Sequence, residues 1–126
     1  MEYPEAARPT PFKRYCKTLS LQADADLIAA YRKLHTPEGV WPEIAQGMRE
    51  IGVLDMEIYL LGNQAFMIMD TVPDFDHDQA MQVLATKPRQ AEWEAVVAAC
   101  QQTSTTATAA EKWQLMERIY KMDAQS

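Results

Sequence analysis

The middle of the chain constrains the fold most. From Val53 to Leu61, the apolar residues Leu54, Met56, Ile58 and Leu60 alternate with Asp55, Glu57 and Tyr59. That period of two is the mark of a half-buried strand. Gly62-Asn63 follows, a two-residue turn suited to a hairpin. Gln64 to Thr71 returns as a strand that is apolar on both faces, which implies burial on both sides.

Helical patterns flank this hairpin. Upstream, Leu27, Ile28, Tyr31, Leu34 and His35 recur at helical spacing behind Asp24, a candidate N-cap. This helix should stop near Thr36, because the residue before Pro37 is biased away from helix. Pro42 suits the first turn of a second helix carrying Ile44, Met48 and Ile51, with Gly52 at its end. Downstream, Asp78–Thr86 and Gln90–Cys100 read as helices, the latter with Trp93, Val96, Val97 and Cys100 on one side. Lys13–Leu21 reads as a first strand with Tyr15, Lys17, Leu19 and Leu21 on one face, where Lys17 breaks an otherwise apolar pattern. Thr103–Ala110 reads as a polar loop, and Glu111–Met122 as a last strand bearing Trp113, Leu115 and Ile119, although Leu115-Met116-Glu117 favours helix. Met1 to about Phe12, with Pro4, Pro9 and Pro11, reads as a flexible arm ahead of one domain over 13–126. The resulting β-α-β-β-α-β order is the ferredoxin-like, split βαβ pattern, an α+β fold with an antiparallel sheet and helices on one face. In so small a domain the bare face calls for a second subunit or a ligand cleft.

Composition narrows the function. The chain has 126 residues, a net charge of −6 and one short basic cluster at Arg8, Lys13, Arg14 and Lys17, which argues against nucleic acid. No apolar run reaches the length of a membrane span, and the acidic N-terminus lacks the apolar core of a secretory signal. Cys16 and Cys100 have neither CxxC nor zinc spacing, so two reduced thiols in a cytoplasmic protein are expected. With four glycines there is no phosphate-binding loop, and no GxSxG, HExxH or EF-hand pattern occurs. No cofactor or metal is expected. His77 among Asp74, Asp76 and Asp78 reads as a solvated acidic loop rather than a metal site, and the methionines as core filler.

The two histidines are the remaining candidates for acid–base chemistry near neutral pH. His35 lies four residues after Tyr31, on the same helix face, with Trp41 and Glu43 just beyond. A helix C-terminal histidine is also favoured by the macrodipole alone. Tyr31 and Trp41 equally fit packing roles. Spacing therefore leaves a small α+β domain with a possible His-centred site.

The segment Tyr31-Arg-Lys-Leu-His35-Thr-Pro-Glu-Gly-Val-Trp41-Pro42-Glu43-Ile resembles the signature of the L-rhamnose mutarotase family, a tyrosine, three residues, a histidine, a short loop and Trp-Pro-Glu. Gly52–Tyr59, Leu61–Asp70, Glu92-Trp93 and Glu111–Glu117 match in the same order. The resemblance implies a homodimeric α+β barrel that interconverts the α and β anomers of a 6-deoxy sugar without metal or nucleotide. It implies His35 as the proton donor, Tyr31 as a substrate ligand, and Met56, Glu92 and Trp93 on the sugar pocket. Trp93 would stack on the sugar's C–H face, and Trp41 is expected among the substrate-binding residues. Where rhamnose-type members carry tyrosine and tryptophan, this chain has Met56 and Glu92. Asp55–Tyr59, Gln90–Trp93 and Glu111–Glu117 look closer to the L-fucose mutarotase branch, so L-fucose is expected ahead of L-rhamnose. Gln101–Ala110 departs from that branch, as does Lys17, where an apolar residue is expected. Two other readings remain open, a non-catalytic sugar-binding module and another cofactor-free enzyme on the same barrel.

Overall fold

The structure, a computed structural model, describes residues 11–103 and 107–123. Most of the arm expected over Met1–Phe12 and part of the loop expected over Thr103–Ala110 lie outside the described residues.

Among the described residues, four strands, β1 (Lys13–Ser20), β2 (Val53–Leu61), β3 (Gln64–Thr71) and β4 (Gln114–Leu115), form one antiparallel sheet in the order β2-β3-β1-β4. Among the same residues five helices complete it: α1 (Ala25–Leu34), α2 (Pro42–Glu50), α3 (His77–Leu84), α4 (Gln90–Ala98) and α5 (Ala109–Lys112). This is the ferredoxin-like α+β arrangement expected from the hairpin and its flanks.

Local chemistry explains the element boundaries. The Asp24 carboxylate accepts from the N–H groups of Asp26 and Leu27 at 2.9 and 3.0 Å, capping α1. Pro42 opens α2, where its missing N–H costs no hydrogen bond. Gly52 then takes φ 106°, a left-handed turn into β2 that an L side chain rarely adopts. The hairpin closes through Leu61↔Gln64, with Gly62 at φ 59°. Val53 pairs with Thr71 and Asp55 with Asp70, so Leu54 is the extra residue of a β-bulge. Val53 therefore joins the core at 5% exposure, and Met56, Ile58 and Leu60 keep the inward alternation.

One face of the sheet carries Tyr15, Lys17, Leu19, Ala65, Met67 and Met69, and the helices pack on it. Alternation puts Arg14, Cys16, Phe66 and Ile68 on the other face. There Arg14 grips the Asp70 carboxylate with two hydrogen bonds of 2.7 and 3.0 Å.

The last strand is much shorter than the expected Glu111–Met122. Thr108 and Glu111 form a capping box that turns Ala109–Lys112 into one helical turn. Only Gln114 and Leu115 then pair with β1, followed by a Met116 N–H to Cys16 carbonyl bond of 2.8 Å. Among the described residues beyond Met116, 117–123, there is no helix or strand, and Ile119, Tyr120 and Met122 are largely exposed. On α4, Val96 faces outward, 41% exposed, instead of sharing the inner side with Trp93 and Val97.

Candidate active site

The helices do not close fully onto the sheet. Between them lies a cavity of about 340 Å³, within the range of small-molecule sites, roughly 300–1,000 Å³. Its floor is Lys17 of β1, Met56 and Ile58 of β2, and Met67 and Met69 of β3. The wall is built from Tyr31 and His35 at the end of α1, Ile44 and Met48 of α2, Met81 of α3, and Trp93, Glu94 and Val97 of α4.

The expected pair comes together. His35 is the C-cap of α1, and its ring lies 4.4 Å from the Tyr31 ring. His35 Nδ1 sits 2.7 Å from the Tyr31 carbonyl oxygen. A carbonyl can only accept, so Nδ1 carries the proton and Nε2 remains for a substrate. Burial holds the His35 pKa below its ordinary value, partly offset by that same hydrogen bond. The resting imidazole is therefore neutral, with a lone pair on Nε2. The α1 C-terminus favours the cation, so desolvation outweighs the macrodipole here.

Tyr31 is 2% exposed, and burial pushes its hydroxyl up to about 12 despite the Gln101 carboxamide beside it. It stays a neutral hydrogen-bonding group. Trp93 sets its ring edge-on to His35 at 5.7 Å and to Trp41 at 5.3 Å. Trp41 thus supports the aromatic wall rather than lining the cavity, with the Arg89 guanidinium over its ring at 4.0 Å. Arg89 adopts φ 63° to start α4.

Met56 lines the floor as expected. Glu92 does not join the site: its side chain is 65% exposed and faces Arg89 at 3.7 Å. The carboxylate that does line the cavity is Glu94, held at 2.8 Å by the fully buried Lys112 ammonium and bonded by the Gln90 amide. Helical spacing carried the signal, since Gln90, Trp93, Glu94 and Val97 form one i, i+3, i+4, i+7 face and Glu92 lies off it. Gln101 and Lys17 are two further polar groups on the cavity. Gln101 is 1% exposed and its Oε1 has no hydrogen-bond partner among the described residues, which leaves an acceptor on the cavity. Burial pushes the Lys17 ammonium down to about 8. His77 packs on Tyr15 at 5.1 Å and bonds Asp78, and among the described residues no group of three His, Cys, Asp or Glu is placed to hold a metal.

A ferredoxin-like unit with an aromatic and methionine-lined cavity, a neutral histidine and few, well-placed hydrogen bonders is suited to a small, uncharged, hydroxylated ring. The comparisons with known proteins agree. Residues 14–122 match the family model described as L-rhamnose mutarotase. The chain is 33% identical over 110 residues to an L-fucose mutarotase of Xanthomonas campestris pv. campestris, covering 87% of this chain and 88% of that one. It is 31% identical over 116 residues to a UPF0734 protein of Dictyostelium discoideum, covering 89% and 91% of the two. Among solved structures, an L-rhamnose mutarotase from Formosa agariphila superposes with a TM-score of 0.66, at 19% identity over 88% of this chain and 99% of that one, a likeness of fold. The chain belongs to the L-rhamnose mutarotase family, and with it to the isomerases that act as sugar mutarotases.

Proposed function

We propose that the protein interconverts the α and β anomers of a 6-deoxyhexose, with L-fucose preferred and L-rhamnose second, through proton transfer at His35. The observation that carries this reading is the neutral His35, with Nδ1–H fixed on the Tyr31 carbonyl and Nε2 left for the sugar. Mutarotation breaks the C1–O5 bond and reforms it on the other face of C1. Opening removes the proton of the anomeric hydroxyl and protonates the ring oxygen. His35 Nε2 accepts the anomeric proton and, as the imidazolium, becomes the proton donor, a role worth about 10²–10⁴ in rate. Trp93 presents apolar surface to the sugar's C–H face and methyl group. Tyr31 and Gln101 orient hydroxyls, and Met56 shapes the floor. Trp41 steadies Trp93, and Glu92 serves only the surface. An uncharged sugar substrate needs no phosphate loop.

The preference for L-fucose is supported by the similarity to the Xanthomonas protein of that name and by Met56 on the cavity floor. Magnetisation-exchange NMR between anomeric protons of L-fucose, L-rhamnose and D-galactose tests it. The expected result is the fastest catalysed exchange with L-fucose; faster exchange with L-rhamnose refutes the preference.

We further propose that residues 13–126 act as one domain, in the cytoplasm and as a homodimer. The outer sheet face with Cys16, Phe66 and Ile68 supports the dimer. Free Cys16 and Cys100 support the compartment, and among the described residues no helix is long and apolar enough to cross a membrane. Light scattering on an eluting peak should give twice the chain mass; the mass of one chain refutes the dimer.

A further inference from the structure

Lys17 is the residue on the cavity that the family resemblance does not explain. It occupies the middle of β1, opposite Met67 of β3 and Leu115 of β4. It is 2% exposed. Its Nζ meets Met81 Sδ at 3.7 Å, a weak acceptor, and among the described residues no carboxylate lies within 4.0 Å of it. A buried amine without a paired anion works against folding. Met67, Met69 and Met81 around it show that a methionine would suit the same space.

A second group besides His35 lets O5 gain a proton as O1 loses one, instead of both transfers waiting on one imidazole, and the other candidates are unsuited. Tyr31 is too weak an acid with its hydroxyl pushed up to about 12. Glu94 is engaged by Lys112 and Gln90. The remaining charge near Lys17 is Asp78 on α3, which acts through space and favours the ammonium; the facing residues of β3 and β4 are apolar. Lys17 is thus an ammonium at neutral pH, on the sheet floor of a cavity whose helical wall carries His35, and it is a far readier donor than an ordinary lysine.

Resting on the mutarotase reading, we propose that Lys17 is the catalytic partner of His35, donating a proton from Nζ to the ring oxygen of the sugar. As the C1–O5 bond breaks, O5 takes the Nζ proton, and the O1 proton passes to His35 Nε2 as C1=O1 forms. After rotation about C1–C2, O5 attacks the other face of C1. Its proton returns to the Lys17 amine while the His35 imidazolium reprotonates O1, so both groups end as they began.

The test is Lys17→Met, measured by anomer exchange of L-fucose across pH and by thermal unfolding. The expected variant is as stable as the wild type or more so, with kcat lower by about 10²-fold and KM little changed. The wild type should lose kcat as pH rises through about 8, where Lys17 gives up its proton, and the variant should lack this alkaline limb. An active wild type with kcat within about twofold in the variant, or the same alkaline limb in both, overturns the assignment of Lys17 alone. No acceleration by the wild type overturns the mutarotase reading as well. As a check independent of turnover, the ¹³Cε resonance of Lys17 in the wild type should titrate below those of surface lysines and shift with saturating L-fucose; a Lys17 resonance indifferent to the sugar overturns the proposal.

Discussion

Replacing Lys112 with methionine should destabilise the helical side of the cavity from behind. The Lys112 ammonium is fully buried and donates to both the Glu94 carbonyl and the Glu94 carboxylate, at 2.7 and 2.8 Å. The Glu94 side chain is only 10% exposed. In Lys112→Met the carboxylate keeps the Gln90 amide but loses its counter-charge in a site that water hardly reaches. Removing one partner of a buried pair typically costs about 3–5 kcal/mol. For a domain of this size that is a fall in Tm of roughly 10–20 °C. Glu94→Gln/Lys112→Met should recover much of the loss, because no charge is then left buried; the recovery in a double-mutant cycle is the coupling energy. Urea unfolding of the four proteins at pH 7 reads it directly. A loss below about 1 kcal/mol for Lys112→Met, or a double variant no better than the single one, would refute the argument that this pair is desolvated and holds α5 on α4.

Activity should decline on the acid side only below pH 6.5, because burial depresses the His35 pKa and its neutral form persists there; a pH–rate profile of kcat/KM for L-fucose with its acid midpoint at or above 6.5 contradicts this. Glu92→Gln should change activity by less than about twofold and stability by less than about 0.5 kcal/mol, since its side chain is exposed; a large loss of kcat places Glu92 at the sugar after all. Gly52→Ala should cost about 1–2 kcal/mol in urea unfolding, because φ is 106° and an added Cβ would approach Val72 at 3.0 Å and Phe75 at 3.2 Å; a neutral effect contradicts the turn. Met56→Tyr narrows the cavity floor and should raise KM for L-fucose relative to L-rhamnose, read by the same exchange assay.

Much of the fold was legible because local and global signals agree. The 53–71 hairpin has strict alternation and a turn that only a few residue pairs make, and Asp24 and Pro42 mark helix starts by chemistry visible in one dimension. The C-terminal segment misled because its apolar spacing suits either element, and the Thr108/Glu111 capping box settles the start as helix. Of the cavity lining, Tyr31 and His35 were legible from the motif and Met56 and Trp93 from the family resemblance, which fix their order but not their neighbours. Glu92 and Glu94 differ by two residues, and only the rotation of α4 decides which faces inward. Lys17 was visible as the wrong residue on an apolar strand face, but its burial depends on α3 packing Met81 over it.

His35 is proposed to move the proton in anomer exchange. Its direct test is magnetisation-exchange NMR of L-fucose with wild type and His35→Ala, the variant shown to be folded by its circular dichroism and unfolding midpoint. The expected result is catalysed exchange with the wild type and a loss of at least about 10²-fold in the variant, with sugar-induced shifts retained. A folded His35→Ala that exchanges anomers at the wild-type rate would contradict it.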